Sequence, residues 1–274
     1  MIRIGLALSG GAARGIAHIG VLQYLEERGV KTCCVAGTSA GSIVGALYCS
    51  GKNVEEIKEI ISKMSWKDMV KISIPRKGLI DTSRLLNIIK KHIGEITFEE
   101  LKIPLYVNAV DLLTGTEIVL KKGPVAEAVQ ASCAIPGIFT PVKWNKHLLV
   151  DGGLLDNVPA GLIERQNVDH IIAVNVGAQK PLQKEPENIF EILIQTFDII
   201  RRQRDLPAHK YADTLIEPDL GDFSFWDNSR LNELVKIGYD AAKNALDGIN
   251  LEQKQFSISR WLRRRKLKSE VKQK

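Results

Sequence analysis

A chain of 274 residues, 45% hydrophobic and 26% charged, has ordinary globular composition and enough length to bury one large core. No apolar run approaches the ~18 residues that cross a bilayer, so no transmembrane helix is expected. The formal net charge of +6 belongs to the C-terminal end, where residues 260–274 hold eight basic side chains against Glu270; the slightly acidic remainder argues against a nucleic-acid-binding face on the body.

The opening run Ile2 to Leu8 is almost continuously apolar, as in a strand covered on both faces. It leads straight into a glycine loop carrying Arg14, which distinguishes it from a signal peptide. Ser9-Gly10-Gly11-Ala12-Ala13-Arg14-Gly15 precedes a helix with Ala17, Val21, Leu22 and Leu25 at helical spacing and Gly29 at its end. Val30 to Ala36 reads as the second strand, Gly37 to Gly41 as a tight turn, and Ser42 to Tyr48 as a helix stopped by Gly51. Asn53 is suited to cap a helix with Ile57, Ile60, Ile61 and Met64 on one face. Trp66 to Ile74 then run into the irregular Pro75-Arg76-Lys77-Gly78, and a further amphipathic helix with Leu85, Leu86, Ile88, Ile89 and Ile93 closes at Gly94. This middle region fits either a cap beside the sheet or helices of the core.

Leu105 to Val110 and Glu117 to Leu120 form a hairpin about Thr114-Gly115, and Pro124 opens a short helix ending near Ser132. After a turn at Pro136-Gly137, Val142 to Trp144 and Leu148 to Val150 make a second hairpin that delivers Asp151-Gly152-Gly153. A helix over Pro159 to Arg165, a buried strand over His170 to Gly177, a long helix from Ile189 to Ile200, a strand over Thr214 to Glu217 and a last helix over Arg230 to Leu246 complete the pattern. Strands alternating with helices predict a three-layer α/β/α sandwich about a central, mostly parallel sheet, in a single domain over residues 1–250. Residues 251–274 stand apart as a basic amphipathic tail. Cys33, Cys34, Cys49 and Cys133 show neither Cys-x-x-Cys spacing nor a disulfide framework, which reads as core thiols in a reducing, cytoplasmic setting.

Sites in such sheets gather beyond the carboxyl ends of the strands, and three glycine-punctuated loops fall there. Gly37-Thr38-Ser39-Ala40-Gly41 has the form of a nucleophile elbow, which exposes a serine hydroxyl at a helix N-terminus. Taken alone, the pattern is equally a plain strand-to-helix connection. The loop from Gly10 to Gly15 offers the N–H groups of Gly10, Gly11 and Ala12 to an oxyanion, or is a solvated turn. Ala12 breaks the G-x-G-x-x-G spacing of a dinucleotide loop, and Gly37 stands where a ribose-binding acid belongs. Asp151, ending an apolar strand and followed by two glycines, reads as a base for Ser39 or as a simple Asp-Gly-Gly turn. Among the histidines after the elbow, only His209 suits a triad; His92, His147 and His170 lie in a helix, a hairpin and a strand start.

These three loops, in this order and spacing, resemble those of bacterial patatin-like phospholipases: the glycine-rich loop in Gly10 to Gly15, G-x-S-x-G in Gly37 to Gly41, and Asp-Gly-Gly in Asp151 to Gly153. The likeness runs from Leu6 to Glu164. Ala131-Ser132-Cys133-Ala134-Ile135-Pro136 resembles a further block of that family, and Ala12 departs from the third glycine of many members. The resemblance implies a Ser39–Asp151 dyad without histidine, a covalent acyl-enzyme, a lipid ester substrate, and neither metal nor cofactor. It also implies an oxyanion hole from Gly10, Gly11 and Ala12, with Arg14 fixing the loop, meeting an anionic headgroup or simply salt-bridged. Gly15, Gly37, Gly41, Gly152 and Gly153 are the motif glycines. Acyl transfer to another alcohol uses the same residues, and a non-catalytic lipid- or nucleotide-binding module is a separate reading. The tail, with Phe256, Ile258, Trp261, Leu262 and Leu267 among its cations, fits peripheral contact of Arg260 to Lys274 with an anionic inner membrane face, or a solvated disordered segment.

Overall fold

Residues 2–64, 82–177, 185–186, 189–203, 210–221, 223 and 230–251 are described in a computed structural model of the chain. Their strands are β1 (Ile4–Leu8), β2 (Thr32–Gly37), β3 (Leu105–Asp111), β4 (Thr116–Leu120), β5 (Val142–Trp144), β6 (His147–Asp151), β7 (His170–Val174) and β8 (Thr214–Ile216). The helices are α1 (Ala17–Glu27), α2 (Ala40–Cys49), α3 (Val54–Ser62), α4 (Ser83–Ile93), α5 (Val125–Ser132), α6 (Ala160–Glu164), α7 (Ile189–Gln203) and α8 (Leu231–Leu246). Both runs follow the predicted sandwich closely. Hydrogen-bonded neighbours link the strands in the path β5-β6-β3-β2-β1-β7-β8, with β4 also paired to β3. Strands β3, β2, β1, β7 and β8 are mutually parallel, and the two hairpins supply the antiparallel exceptions.

β1 and β7 are buried along their whole lengths, because helices cover both faces of the sheet centre. On one face α1 and α8 cross so closely that a Cβ on Gly20 would lie 1.8 Å from the Val235 carbonyl oxygen, and one on Gly238 2.0 Å from that of Ala17. Only glycine permits this backbone contact. Asn53 caps α3 in a reciprocal box with Glu56, each side chain bonded to the other residue's N–H at 2.9 Å. Ile57, Ile60 and Ile61 of α3, and Leu85, Ile89 and Ile93 of α4, are buried in the same apolar cluster as β1, β2 and α1. The two alternatives for the middle region are thus resolved for these residues, which are helices of the core. Trp66 to Gly78, His209 and the tail from Arg260 to Lys274 lie outside the described residues.

One detail of register organises everything that follows. β2 and β6 occupy the same edge of β3 and meet end to end there, since Gly37 pairs with Val107 in parallel and Asp151 pairs with Ala109 in antiparallel. β4 takes the opposite edge from Val107 to Asp111. Only Asn108 separates the two strand ends along β3. The carboxyl ends of β2 and β6 therefore converge on one point.

Candidate active site

The elbow forms at that convergence. Ser39 holds φ 50° and ψ −122°, a conformation costly for a residue with a side chain, at the N-terminus of α2. The strain persists because neighbours determine it on every side. Thr38 N–H bonds to the Leu8 carbonyl at 3.1 Å, Ser39 N–H to the Ser132 hydroxyl at 2.8 Å, and the Ser39 carbonyl accepts from Ser42 N–H at 2.8 Å. Gly41 admits the β1 backbone, for a Cβ there would sit 2.3 Å from the Leu8 carbonyl oxygen. Ser39 is half-buried between fully buried neighbours. It is thus the partly exposed residue of an otherwise closed turn.

Asp151 ends β6, 1% exposed, and its Oδ1 accepts the Gly153 N–H at 2.8 Å. Its Oδ2 is buried with no hydrogen-bond partner among the described residues. Burial pushes the carboxyl up to about 6, against the opposing pull of the Gly153 N–H, the Ser39 hydroxyl and the charge of Arg201. The block Ala131 to Pro136 lies between the two residues: Ser132 holds Ser39, and the Ala134 carbonyl accepts Asp151 N–H at 2.9 Å. Asn108 pins the two loops from beneath. Its Oδ1 accepts from the Thr38 hydroxyl at 2.7 Å, and its Nδ2 donates to the Asp156 carbonyl at 2.7 Å. Gly152 packs on the same side chain, where a Cβ would come 2.5 Å from Asn108 Oδ1.

The glycine loop runs beside Ser39, with a Cβ on Gly10 falling 3.1 Å from Ser39 Cβ. One of its three expected donors needs correction. Gly10 N–H is donated to the Asn157 carbonyl at 3.2 Å, so it is engaged within the protein. The Arg14 guanidinium, 3% exposed, donates through Nε and Nη2 to the Phe223 carbonyl at 2.8 and 2.7 Å and ties the loop to the segment before α8. That contact selects loop fixing over a headgroup. Gly11 and Ala12 N–H have no acceptor among the described residues. Ala12 adopts φ 50°, the left-handed region that a third glycine would enter freely. Gly15 abuts Ala40, and Gly37 abuts the Gly41 carbonyl, so the two loops are in direct contact.

Among the described residues no histidine reaches this pair. His147 bonds Asp111 at 2.9 Å and holds that carboxyl down at about 2, and His170 bonds the Thr214 hydroxyl at 2.8 Å. Cys133 stands by Ser42 at 3.9 Å with its thiol pushed well up by burial and by Asp151, and Cys34 is raised to about 12 by burial, so both are held protonated. No group of His, Cys, Asp and Glu among the described residues has the makings of a metal site. Residues that pattern reading missed are Asn108, Asn157, His18 and Arg201. Each lies within an apolar strand, a loop or a helix whose spacing explains it as structure, and only a polar residue in a buried strand, as at Asn108, carried a visible signal.

A strained serine at a strand-to-helix turn, beside a buried carboxylate at the edge of a mostly parallel sheet, marks an α/β protein with helices on both faces of its sheet. The family model for patatin-like phospholipase matches residues 6–163. This chain belongs to that family. It is 35% identical over 181 residues to an uncharacterized NTE family protein of Mycobacterium tuberculosis, covering 65% of this chain and 50% of that protein. It is 30% identical over 220 residues to lysophospholipase NTE1 of Candida albicans, covering 78% of this chain and 16% of that protein. The chain thus spans about half the length of the mycobacterial relative. Among solved structures, VipD from Legionella pneumophila shares the fold at a TM-score of 0.62, 15% identity, and coverage of 90% of this chain and 66% of that one.

Proposed function

We propose that the protein is a serine acyl hydrolase of lipid esters. The observation that carries this reading is the strained Ser39 beside the buried Asp151, whose Oδ2 has no other partner among the described residues. Asp151 accepts the proton of Ser39 as Oγ attacks the ester carbonyl carbon, and the carbonyl π electrons move onto oxygen. The tetrahedral oxyanion lies at the N–H groups of Gly11 and Ala12 and at the N-terminus of α2. Collapse breaks the bond to the leaving alcohol, which takes the proton from Asp151. Water then repeats the sequence and releases the fatty acid. A lone carboxylate is a weak base for a hydroxyl, and a pKa near 6 moves Asp151 toward the task.

Lipid as the substrate class is supported by the family, by the lysophospholipase relative and by α7. That helix packs by Phe197 on Gly153 and leaves Ile189, Ile192, Ile199 and Ile200 exposed. No helix among the described residues is long and apolar enough to cross a membrane. The reading therefore uses peripheral contact from the cytoplasm, with residues 1–250 as the hydrolase domain and 251–274 as an appended basic tail. Acyl transfer in place of hydrolysis is decided by the acceptor present. The test is a panel of phospholipids, lysophospholipids and short esters, with a fluorophosphonate probe for Ser39. Ser39→Ala and Asp151→Asn are each expected to lose turnover while staying folded, and full activity in either overturns the dyad.

A further inference from the structure

The carbonyls of Ser9, Gly10 and Gly11 each have a donor, and this fixes where the N–H groups that follow them turn. A trans peptide points its C=O and the following N–H to opposite sides. Ser9 O meets His18 Nε2 at 2.9 Å, Gly11 O accepts from Arg14 N–H at 3.1 Å, and Gly10 O accepts from Arg201 Nη1 at 3.1 Å. Arg201 is 3% exposed near the C-terminal end of α7, far along the chain from the loop it holds. Asp198, one turn earlier on the same helix and 1% exposed, orients the guanidinium through Nε at 3.2 Å and through Nη2. Nη2 also reaches the Gly177 carbonyl, just beyond β7, at 3.4 Å.

We propose that Arg201, braced by Asp198, is a positioning residue that holds the Gly10–Gly11 peptide so that Gly11 N–H faces the oxyanion formed on Ser39. The inference rests on the acyl-hydrolase reading above. Its physical motive is that a buried ion pair is expensive to desolvate and adds little stability by itself. Here it clamps two carbonyls at the carboxyl ends of β1 and β7, one of them belonging to the peptide whose N–H has no acceptor among the described residues. Rigid placement of donors before reaction is what makes an oxyanion hole effective. The full positive charge of Arg201, directed at the same peptide, also polarises its N–H.

Arg201→Lys keeps the charge but loses the fork, Arg201→Met removes both, and Gly177→Ala places a Cβ 1.7 Å from Arg201 Nη1 and displaces the guanidinium without touching its charge. With a short soluble ester, all three are expected to lower kcat about 10- to 100-fold with KM nearly unchanged, the signature of a misplaced transition-state donor. Affinity for a trifluoromethyl ketone, which forms the oxyanion, falls in parallel. The acid limb of the pH–rate profile stays in place for Arg201→Lys and moves up for Arg201→Met, because only the latter loses the charge near Asp151. A general loosening of the fold would not produce that split. Should Arg201→Met fail to fold, Gly177→Ala and Arg201→Lys carry the test. Wild-type kcat and ketone affinity in either folded variant overturn the positioning role while leaving the dyad intact. A wild type that turns over no ester and takes no fluorophosphonate overturns the hydrolase reading and this inference together.

Discussion

The proposed dyad places two opposed demands on Asp151: as its base the residue must ionise, and as a buried group it resists ionisation. Burial sets its carboxyl at about 6, so the reactive form is lost as pH falls through that value. For a soluble ester, kcat/KM is expected to drop about tenfold per pH unit below 6, and a profile flat to pH 4 would count against Asp151 as base. The same shift has a consequence for stability. Because the folded pKa lies above the ordinary 3.8, the native state binds the proton more tightly, and stability is lost as pH rises from about 4 to 6. Asp151→Asn is therefore expected to be more stable than wild type at pH 8, by on the order of 2–3 kcal/mol, and little different at pH 4. Urea titrations of both proteins at both pH values measure this, and an equal effect at the two would mean that folding does not raise the carboxyl's pKa. Ala12 offers a smaller test. Its φ of 50° costs ~1–2 kcal/mol, which glycine recovers less ~0.4–1 for the freer unfolded chain, so Ala12→Gly is expected to raise the melting temperature slightly. The sequence already singled out Ala12 as a departure in a glycine loop, but the angle that makes it costly is visible only in the structure.

The elements were largely readable because their periods are local. Apolar runs in β1 and β7, the 3.6-residue stripes of α3 and α4 and the punctuating Gly29, Gly51 and Gly94 are properties of neighbours in sequence. What decides function here is non-local. That β6 runs head-on into β2 along β3, and so delivers Asp151 to Ser39, depends on pairing register, which no period encodes. Asn108 is the residue in that gap, and its two bonds of 2.7 Å join the elbow to the Asp156 backbone. The expectation of Gly10 as a donor fails for the same reason, since a glycine loop advertises N–H groups without saying which are already engaged. The crossing of α1 and α8 is another fact of the second kind. Helix propensity alone counts Gly20 and Gly238 against their helices, yet at each an added Cβ would collide with the facing backbone. Gly238→Ala is expected to destabilise by about 3 kcal/mol or more, since the clashing atom is the rigid Ala17 carbonyl, whereas an exposed glycine such as Gly221 would tolerate change better. Thermal melts compare them, and a gain in stability at position 238 would contradict the crossing.

At the scale of the whole molecule, the surface is uneven in a way that concerns substrate delivery. The large apolar side chains exposed among the described residues are Leu112 and Leu113, at the turn after β3, and Ile189, Ile192, Ile199 and Ile200 on α7. β3 is parallel to β2, so its carboxyl end lies on the Ser39 side of the sheet, and α7 packs on the turn that follows Asp151. The apolar surface, Ser39 and Asp151 thus share one end of the molecule. On the proposed membrane contact, the charge asymmetry of the sequence is a second, separable handle, because a cation near an anionic bilayer is worth ~1 kcal/mol, residues 260–274 hold eight, and the attraction is screened by salt. Deleting residues 256–274 is accordingly expected to reduce sedimentation with phosphatidylserine-containing vesicles at low salt, and to leave binding to neutral vesicles nearly as it was. Turnover of vesicle-embedded ester falls with the binding, while kcat/KM for a short soluble ester stays at the wild-type value. If binding to anionic vesicles is unchanged, the tail is not the anchor. If soluble-ester turnover falls as well, the tail acts on the site itself rather than on the encounter with the membrane.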